Sequence, residues 1–397
     1  MPAPTFATLN RCIFTDTLNG WAAGDSGTII HTSNGGSNWV KQVSTIDFSI
    51  SEIFFLNPRL GWCIANDFFF AGTMILRTTD GGNNWSGSRY PDTTYIINTV
   101  FFVDSLNGYL AGYNGLVLKT TDAGNSWVRA VIGQNYFSNL PFRKITFFNS
   151  QYGLGCGGIM DVAGIVWRTT DYGFTWNITD TTYEPLWDII FSDINKVYSC
   201  GGDFEFGSSF SRSRDNGNTW VNRTIGFFGV ANSVGVRNGN ELWAPLGFSR
   251  LWMYSLDSGT TWNSTPTNDT SGIFDVRFVD SDHGWACGEN GSVLKYNSLI
   301  GVRNIRERVP ASFELYQNYP NPFNSSTVIK FSLSQSEHVK ISVYDILGNL
   351  VSVLLDSPLK GGMYSVNFNG DNLASGIYFY SINSPGFSFS RKMILLK

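Results

Sequence analysis

Short apolar runs recur along the first three quarters of the chain, each followed by a polar turn and a second strand that opens with Gly and an aromatic residue. Clear examples run from Phe14 to Trp21, from Phe102 to Tyr109 and from Phe278 to Trp285. Looser copies centre on Gly61-Trp62, Gly153-Leu154, Val197-Tyr198 and Leu242-Trp243. No long segment has the 3.6-residue apolar period of a helix. The pattern predicts an all-β protein with seven copies of one hairpin.

A second motif of eight residues ends six of the seven units. It reads Thr78-Thr79-Asp80-Gly81-Gly82-Asn83-Asn84-Trp85 in the second unit. The third position is occupied by Asn34, Asp80, Asp122, Asp171, Asp215 and Asp257, and the last by Trp39, Trp85, Trp127, Trp176, Trp220 and Trp262. The Trp spacings are 46, 42, 49, 44 and 42, the length of one four-stranded propeller blade.

The chemistry of this box predicts a turn. An Asp or Asn side chain accepts hydrogen bonds from backbone amides nearby, Gly tolerates positive φ, and Trp plugs the core. The seventh unit has no box. Because an unpaired strand edge is a liability, we expect residues 4–8 to supply its outer strand and close a seven-bladed ring.

The last part of the chain has a different pattern. Val339, Ile341 and Val343 alternate with Lys340, Ser342 and Tyr344, which indicates a strand buried on one face of an antiparallel β-sandwich. We therefore predict a propeller over residues 1–299, a linker over 300–313 and a small β-sandwich over 314–397.

Both parts resemble known families. The boxes and Gly-Trp hairpins of residues 8–297 resemble Asp-box (BNR) propellers of the photosystem II stability/assembly factor type. Residues 314–397 resemble the type A C-terminal sorting domain of the bacterial type IX secretion system. That second likeness rests on the following motif positions: Pro320, Asn321, Pro322, Phe323, Gly348, Gly376 and Lys392. It implies contact with the type IX machinery and export to the medium or the outer-membrane surface. Met1 to Thr5 show no signal peptide.

Composition excludes several classes of function. The net charge is −4 and no basic stripe suggests nucleic acid. No apolar run approaches the length of a membrane helix. The five cysteines form no CxxC pair and the three histidines lie in separate units, so we expect free core thiols, no metal and no cofactor. We also expect a monomer.

One set of charged residues stands out. The residue before each box, or its equivalent, is usually cationic, which in a propeller forms a ring: His31, Arg77, Lys119, Arg168, Arg212 and Lys295. Such a ring is a candidate site for an anionic partner. The alternative is that long cationic side chains extend from strand ends into water.

Two functions remain open. The first is a secreted or surface-displayed propeller that is not an enzyme and binds a protein or glycan. The second is a sialidase-like or glucan-degrading glycoside hydrolase, which needs a pair of carboxylates. Acidic residues outside the repeat are Asp161, Glu184, Asp188, Asp203 and Glu205, and each is expected to be a solvated loop residue. The segments 156–166 and 202–209 are expected to decorate one face.

Overall fold

The computed structural model describes residues 3–67, 72–267, 270–297, 303–306, 312–370 and 373–397. It consists of two compact units, Met1–Tyr296 and Asn297–Lys397. Within the described ranges no helix is long and apolar enough to cross a bilayer. All five cysteines are buried and unpaired, which confirms the expectation of free core thiols.

The described residues of the first unit form seven sheets, which are antiparallel apart from one short parallel pairing in the fourth. The first sheet contains β1 (Leu9–Phe14), β2 (Gly20–Gly24), β3 (Ile29–Thr32) and β4 (Val40–Gln42). The second contains β5 (Ile50–Phe55), β6 (Gly61–Asn66), β7 (Thr73–Thr78) and β8 (Ser86–Arg89). The third is β9 (Ile97–Phe102), β10 (Gly108–Gly112), β11 (Leu116–Thr120), β12 (Val128–Arg129). The fourth is β13 (Val131–Ile132), β14 (Phe142–Phe147), β15 (Gly153–Ile159), β16 (Ala163–Thr169), β17 (Thr175–Thr182), with β13 parallel to β17.

The remaining three sheets follow the same order. They are β18 (Leu186–Phe191), β19 (Val197–Asp203), β20 (Gly207–Ser213), β21 (Val221–Thr224); β22 (Gly235–Arg237), β23 (Glu241–Pro245), β24 (Leu251–Ser255), β25 (Asn263–Pro266); and β26 (Ile273–Phe278), β27 (His283–Gly288), β28 (Val293–Asn297). A 3₁₀ turn, Glu289–Gly291, joins β27 to β28. The first strand of the first sheet contacts both β5 and β26, so the sheets are blades arranged in a ring.

Aromatic stacking between neighbouring blades holds this ring together. The ring of Trp21 in the first blade stacks on Phe55 of the second at 3.7 Å, and its Nε1 donates to the Gly81 carbonyl. Phe55 in turn meets Trp85 of its own box edge-on. The same arrangement recurs where Trp62 stacks on Phe102. Each Gly-aromatic hairpin is therefore packed against the next blade.

The ring closes by this same contact, and the expected closure strand is wrong for the described residues. Trp285 of the seventh blade stacks on Phe14 of the first at 3.6 Å and donates Nε1–H to the Gly35 carbonyl. Residues 4–8 form no strand, and the seventh sheet contains β26, β27 and β28. One backbone bond, from Gly291 N to the Ala7 carbonyl, ties the first segment to that blade. Stacking supplies the closure that strand exchange was expected to supply.

The second unit contains two four-stranded sheets around one apolar core, a β-sandwich. One sheet has the order β29-β34-β31-β30 and the other β33-β32-β35-β36. The strands are β29 (Arg303–Arg306), β30 (Glu314–Leu315), β31 (Ser326–Leu333), β32 (Glu337–Tyr344), β33 (Leu350–Leu359), β34 (Gly362–Asn369), β35 (Gly376–Ser384) and β36 (Phe387–Leu395).

Part of the expected linker belongs to this sandwich. Arg303–Arg306 pairs with β34 as an edge strand, so the linker expected over 300–313 is wrong at these residues. Residues 300–302 and 307–311 lie outside the described residues.

The motif at 320–323 joins the start of the sandwich to its last strand. Phe323 is buried, its amide donates to the Ile394 carbonyl, and its own carbonyl accepts from Leu396 N. The side-chain oxygen of Asn321 accepts from Ile394 N at 2.9 Å. The carbonyl of Lys392 accepts from Gln317, Gly348 takes φ 83° in a turn, and Gly376 pairs with Leu395.

Candidate functional site

The box aspartates close turns, as their chemistry predicts. The Asp80 carboxylate accepts from the backbone and side chain of Asn84 and from the Thr78 hydroxyl. These bonds lower the pKa of Asp80 to about 2, and similar sets lower the pKa of Asp122 and Asp257 to about 2. Asn34 accepts from Asn38 N at 2.9 Å in the same way. The hydrogen-bonding capacity of these carboxylates is therefore used within the turn.

Three members of the predicted cationic ring contact the following blade. Lys119 Nζ donates to the Tyr172 carbonyl, Arg168 Nε to the Asn216 carbonyl and Arg212 to the Ser258 carbonyl, each in the box of the following blade. Of the other three members, Arg77 is opposite Trp62 on the neighbouring strand and the His31 ring stacks on Trp21. Lys295 Nζ lies 5.7 Å from the centre of the Trp285 ring. Burial lowers the pKa of His31. Binding of an anionic partner by this ring stays a prediction.

A second ring of charges, missed at the sequence level, lines the innermost strands. It contains three cations and three anions, namely Arg11, Lys144 and Arg277 with Glu52, Asp188 and Asp275. The shortest pairs are Lys144 Nζ to Glu52 Oε2 at 2.6 Å and Arg277 to Asp188 Oδ2 at 2.9 Å. Most of these charges follow a shift of strand register, and such a bulge re-aims a side chain.

Charge pairing outweighs burial in this inner ring. Burial opposes ionisation of Asp188, but the positive charges of Arg277, Lys144 and Arg11 hold its pKa below the usual value. Asp188 Oδ2 also accepts from Val234 N, and Asp275 Oδ2 accepts from Cys12 N. The inner ring is therefore a balanced structural network.

Three of the acidic residues outside the repeat converge between the fourth and fifth blades. Asp161 lies in the β15–β16 turn, Glu184 in the connector before β18 and Asp203 at the end of β19. One carboxylate oxygen from each lies within 4.8 Å of the others. Asp161 of segment 156–166 therefore lies close to Asp203 of segment 202–209.

The expectation of solvated loop carboxylates is wrong for Glu184, Asp188 and Asp203, which are 9%, 0% and 4% exposed. Asp161 and Glu205 are exposed, as expected. Burial, and then the nearby Asp203 carboxyl, raises the pKa of Glu184 to about 7. Glu184 also lines a cavity of about 170 Å³ with Arg223. Only the tertiary structure shows that the three buried carboxylates differ from solvated loop residues.

Each blade has two ends, and exposed aromatic side chains are concentrated at one of them. The innermost strand of each blade is β1, β5, β9, β14, β18, β22 or β26. We define the connector end as the end formed by the segments that lead into these strands and by the hairpins between the second and third strands counted from them; the other is the box end. Among the described residues, eight exposed aromatic residues lie at the connector end: Phe6, Tyr113, Tyr136, Tyr183, Phe204, Phe206, Phe228 and Phe248. The box end has three: Phe148, Tyr172 and Phe174.

Comparison with known families supports both predicted parts. Residues 317–396 match the secretion system C-terminal sorting domain, and residues 221–297 match the photosynthesis system II assembly factor YCF48. The photosystem II assembly lipoprotein Ycf48 of Synechococcus sp. (strain CC9902) is 26% identical over 298 residues, 71% of this chain and 83% of that relative.

Solved structures share the fold. YCF48 bound to D1 peptide has a TM-score of 0.59 and 21% identity, over 75% of this chain and 96% of its own. YCF48 from Cyanidioschyzon merolae has a TM-score of 0.58 and 18% identity, over 75% and 97%. The GH74 enzyme of Niastella koreensis has a TM-score of 0.58 and 13% identity, over 98% and 73%. The chain is thus an all-β, YCF48-like propeller followed by a sorting domain, which directs export to the cell surface or medium.

Proposed function

We propose that this exported YCF48-like propeller is a binding protein that holds a partner polypeptide on its connector end. The main support for this proposal is the exposure of large aromatic side chains at that end. Tyr183 is 91% exposed, Phe228 65% and Phe248 64%. Exposed apolar groups of this size in a cluster mark interaction surfaces, and aromatic residues dominate the binding energy of interfaces.

The aromatic residues lie on short hairpins and connectors anchored by rigid blades. Phe204 lies in the β19–β20 hairpin and Phe228 in the connector between β21 and β22, and their ring centroids are 6.1 Å apart. Phe248 contacts Phe274 with centroids 5.0 Å apart, edge to face. A surface assembled from fixed strand ends is preorganised, so a partner segment gains contact area at little cost in ordering.

The comparisons favour a polypeptide as the partner. The solved YCF48 is described as bound to a D1 peptide. The D1 peptide is the partner of that protein. For the present chain, the shared propeller architecture supports only the class of ligand, a polypeptide. Neither D1 nor a photosynthetic role is implied for this chain.

A phage-displayed peptide library panned on the full chain tests the proposal. We expect enriched peptides with aromatic or aliphatic side chains. Phe206→Ser and Phe228→Ser each remove an exposed aromatic contact and should weaken those peptides at least about tenfold, measured by fluorescence anisotropy.

Phe174→Ser is the matched control, because Phe174 is 58% exposed at the box end. It should leave the affinity unchanged. Failure to enrich any peptide, or equal affinity for wild type, Phe206→Ser and Phe228→Ser, would contradict the proposal.

A glycoside hydrolase is the second candidate, because Glu184 has the raised pKa of a general acid and lies beside Asp203. Against it, Glu184 and Asp203 are only 9% and 4% exposed, which leaves little room for a sugar ring between them. Release of sugar from β-glucans or sialosides by the wild type, lost in Glu184→Gln, would replace the binding proposal.

A further inference from the structure

The cluster of Asp161, Glu184 and Asp203 brings three carboxyl groups together without a cationic side chain paired to them among the described residues. The three carboxylates come from three separate segments, and two of them are buried. Across the described chain, no Lys or Arg forms an ion pair with any of the three. Arg223, which lines the same cavity as Glu184, donates instead to the Thr260 carbonyl.

A second observation separates this cluster from the other buried acids. Glu184 Oε2 is shut off from solvent and has no hydrogen-bond partner among the described residues. Glu52, Asp188 and Asp275, which are at least as buried, all pair with a cationic side chain. A buried carboxylate oxygen without a partner is costly, so a bound cation would stabilise this site.

We propose that Asp161, Glu184 and Asp203 bind a calcium ion at the junction of the fourth and fifth blades. This proposal goes beyond the binding of a polypeptide and does not depend on it. The three ligands are all carboxylate oxygens, the donors that hard divalent cations prefer. The described His and Cys residues that would favour zinc or copper lie outside the cluster.

Calcium suits the arrangement better than magnesium. It accepts six to eight oxygens in irregular geometry, whereas magnesium demands a near-ideal octahedron. Asp203 is held by the amides of Glu205 and Phe206, which bond its Oδ1. Asp161 lies on an exposed turn, which leaves room for water or a partner's oxygens. Extracellular calcium modules bind with Kd of about 0.1–1 mM, a range that serves an exported protein.

Calorimetric titration and thermal unfolding of the full chain test the site. We expect CaCl2 to bind with Kd of about 0.1–1 mM, and 5 mM CaCl2 to raise the unfolding midpoint by about 3 °C relative to EDTA. Glu184→Gln and Asp203→Asn should abolish both effects. Asp161→Asn, on an exposed turn that tolerates Asn, should weaken binding without impairing folding.

Glu205→Gln is the matched control, because it removes one negative charge from the same hairpin outside the cluster. It should keep the calcium response. In EDTA, Glu184→Gln should be at least as stable as the wild type, since it removes an unpaired buried charge. No midpoint shift in the wild type at 10 mM CaCl2, an equal shift in Glu184→Gln, or an equal shift with MgCl2 would overturn the proposal.

Discussion

Aspartate occupies three kinds of position in this propeller, and its surroundings differ in each. Asp122 closes an exposed box turn, Asp188 is paired with Arg277 in the inner ring, and Asp203 lies among other carboxylates. The first role was predictable, because six copies share one local pattern. The other two were not, since their partners are far away in sequence; Asp188 and Arg277 are 89 residues apart.

Asp188→Asn should destabilise the fold, because it removes a charge that Arg277 needs in a buried site. We expect a loss of about 3 kcal/mol in the free energy of unfolding at pH 7, measured in urea. The pKa of Asp188 is lowered in the fold, so its stabilisation is complete above the pKa of an unfolded carboxyl, about 3.9, and disappears as the pH falls through the folded value.

The difference between wild type and Asp188→Asn should therefore shrink below about pH 4. Exposed Glu205→Gln is the control and should change stability by less than about 0.5 kcal/mol. A constant difference between pH 7 and pH 3 would show that the ion pair is not its cause.

At the scale of elements, the Gly-aromatic hairpin is the unit that joins blades. Gly20 must be Gly, because a Cβ there would lie 2.2 Å from the Phe14 ring. The aromatic residue that follows then reaches the next blade, as Trp21 does with Phe55. The sequence repeats revealed the hairpin, but the missing seventh box suggested a closure by strand exchange that the Trp285–Phe14 stack makes unnecessary.

Trp285→Ala should cost about 3–5 kcal/mol in the free energy of unfolding, because a fully buried Trp is removed from the contact that closes the ring. Removal of residues 1–6 should cost less, since Ala7 retains the bond from Gly291. Urea unfolding of both variants checks this. A larger loss on truncation than in Trp285→Ala would restore the closure strand as the decisive contact.

At the scale of the whole molecule, the chain combines a YCF48-like propeller with a sorting domain. The sorting motifs were predictable because they are short and ordered along the chain, and the match to residues 317–396 confirms them. Their structural roles needed the fold, since Asn321 bonds Ile394, which is 73 residues away. The proposed ligand surface was not predictable, because the exposure of Phe228 or Phe248 is a property of packing.

Residues 314–397, fused to a reporter with an inner-membrane signal, should direct export in a bacterium that has type IX secretion. Asn321→Ala should lower the exported fraction severalfold, because it removes the acceptor that fixes the last strand; a net hydrogen bond of this kind contributes about 1 kcal/mol. Exported and retained reporter are measured by immunoblot. Exposed Lys330→Ala is the control, and equal export of both variants would exclude this role.

The sequence by itself determined the local structure of this protein, because strands, box turns and sorting motifs depend on residues close together in the chain. Six boxes were enough to predict a propeller, and even Asn34 was recognisable as a turn former. Only the tertiary structure decided how the ring closes, which charges are paired and which carboxylates meet. Those outcomes depend on burial and on contacts between distant segments, as for Asp161, Glu184 and Asp203.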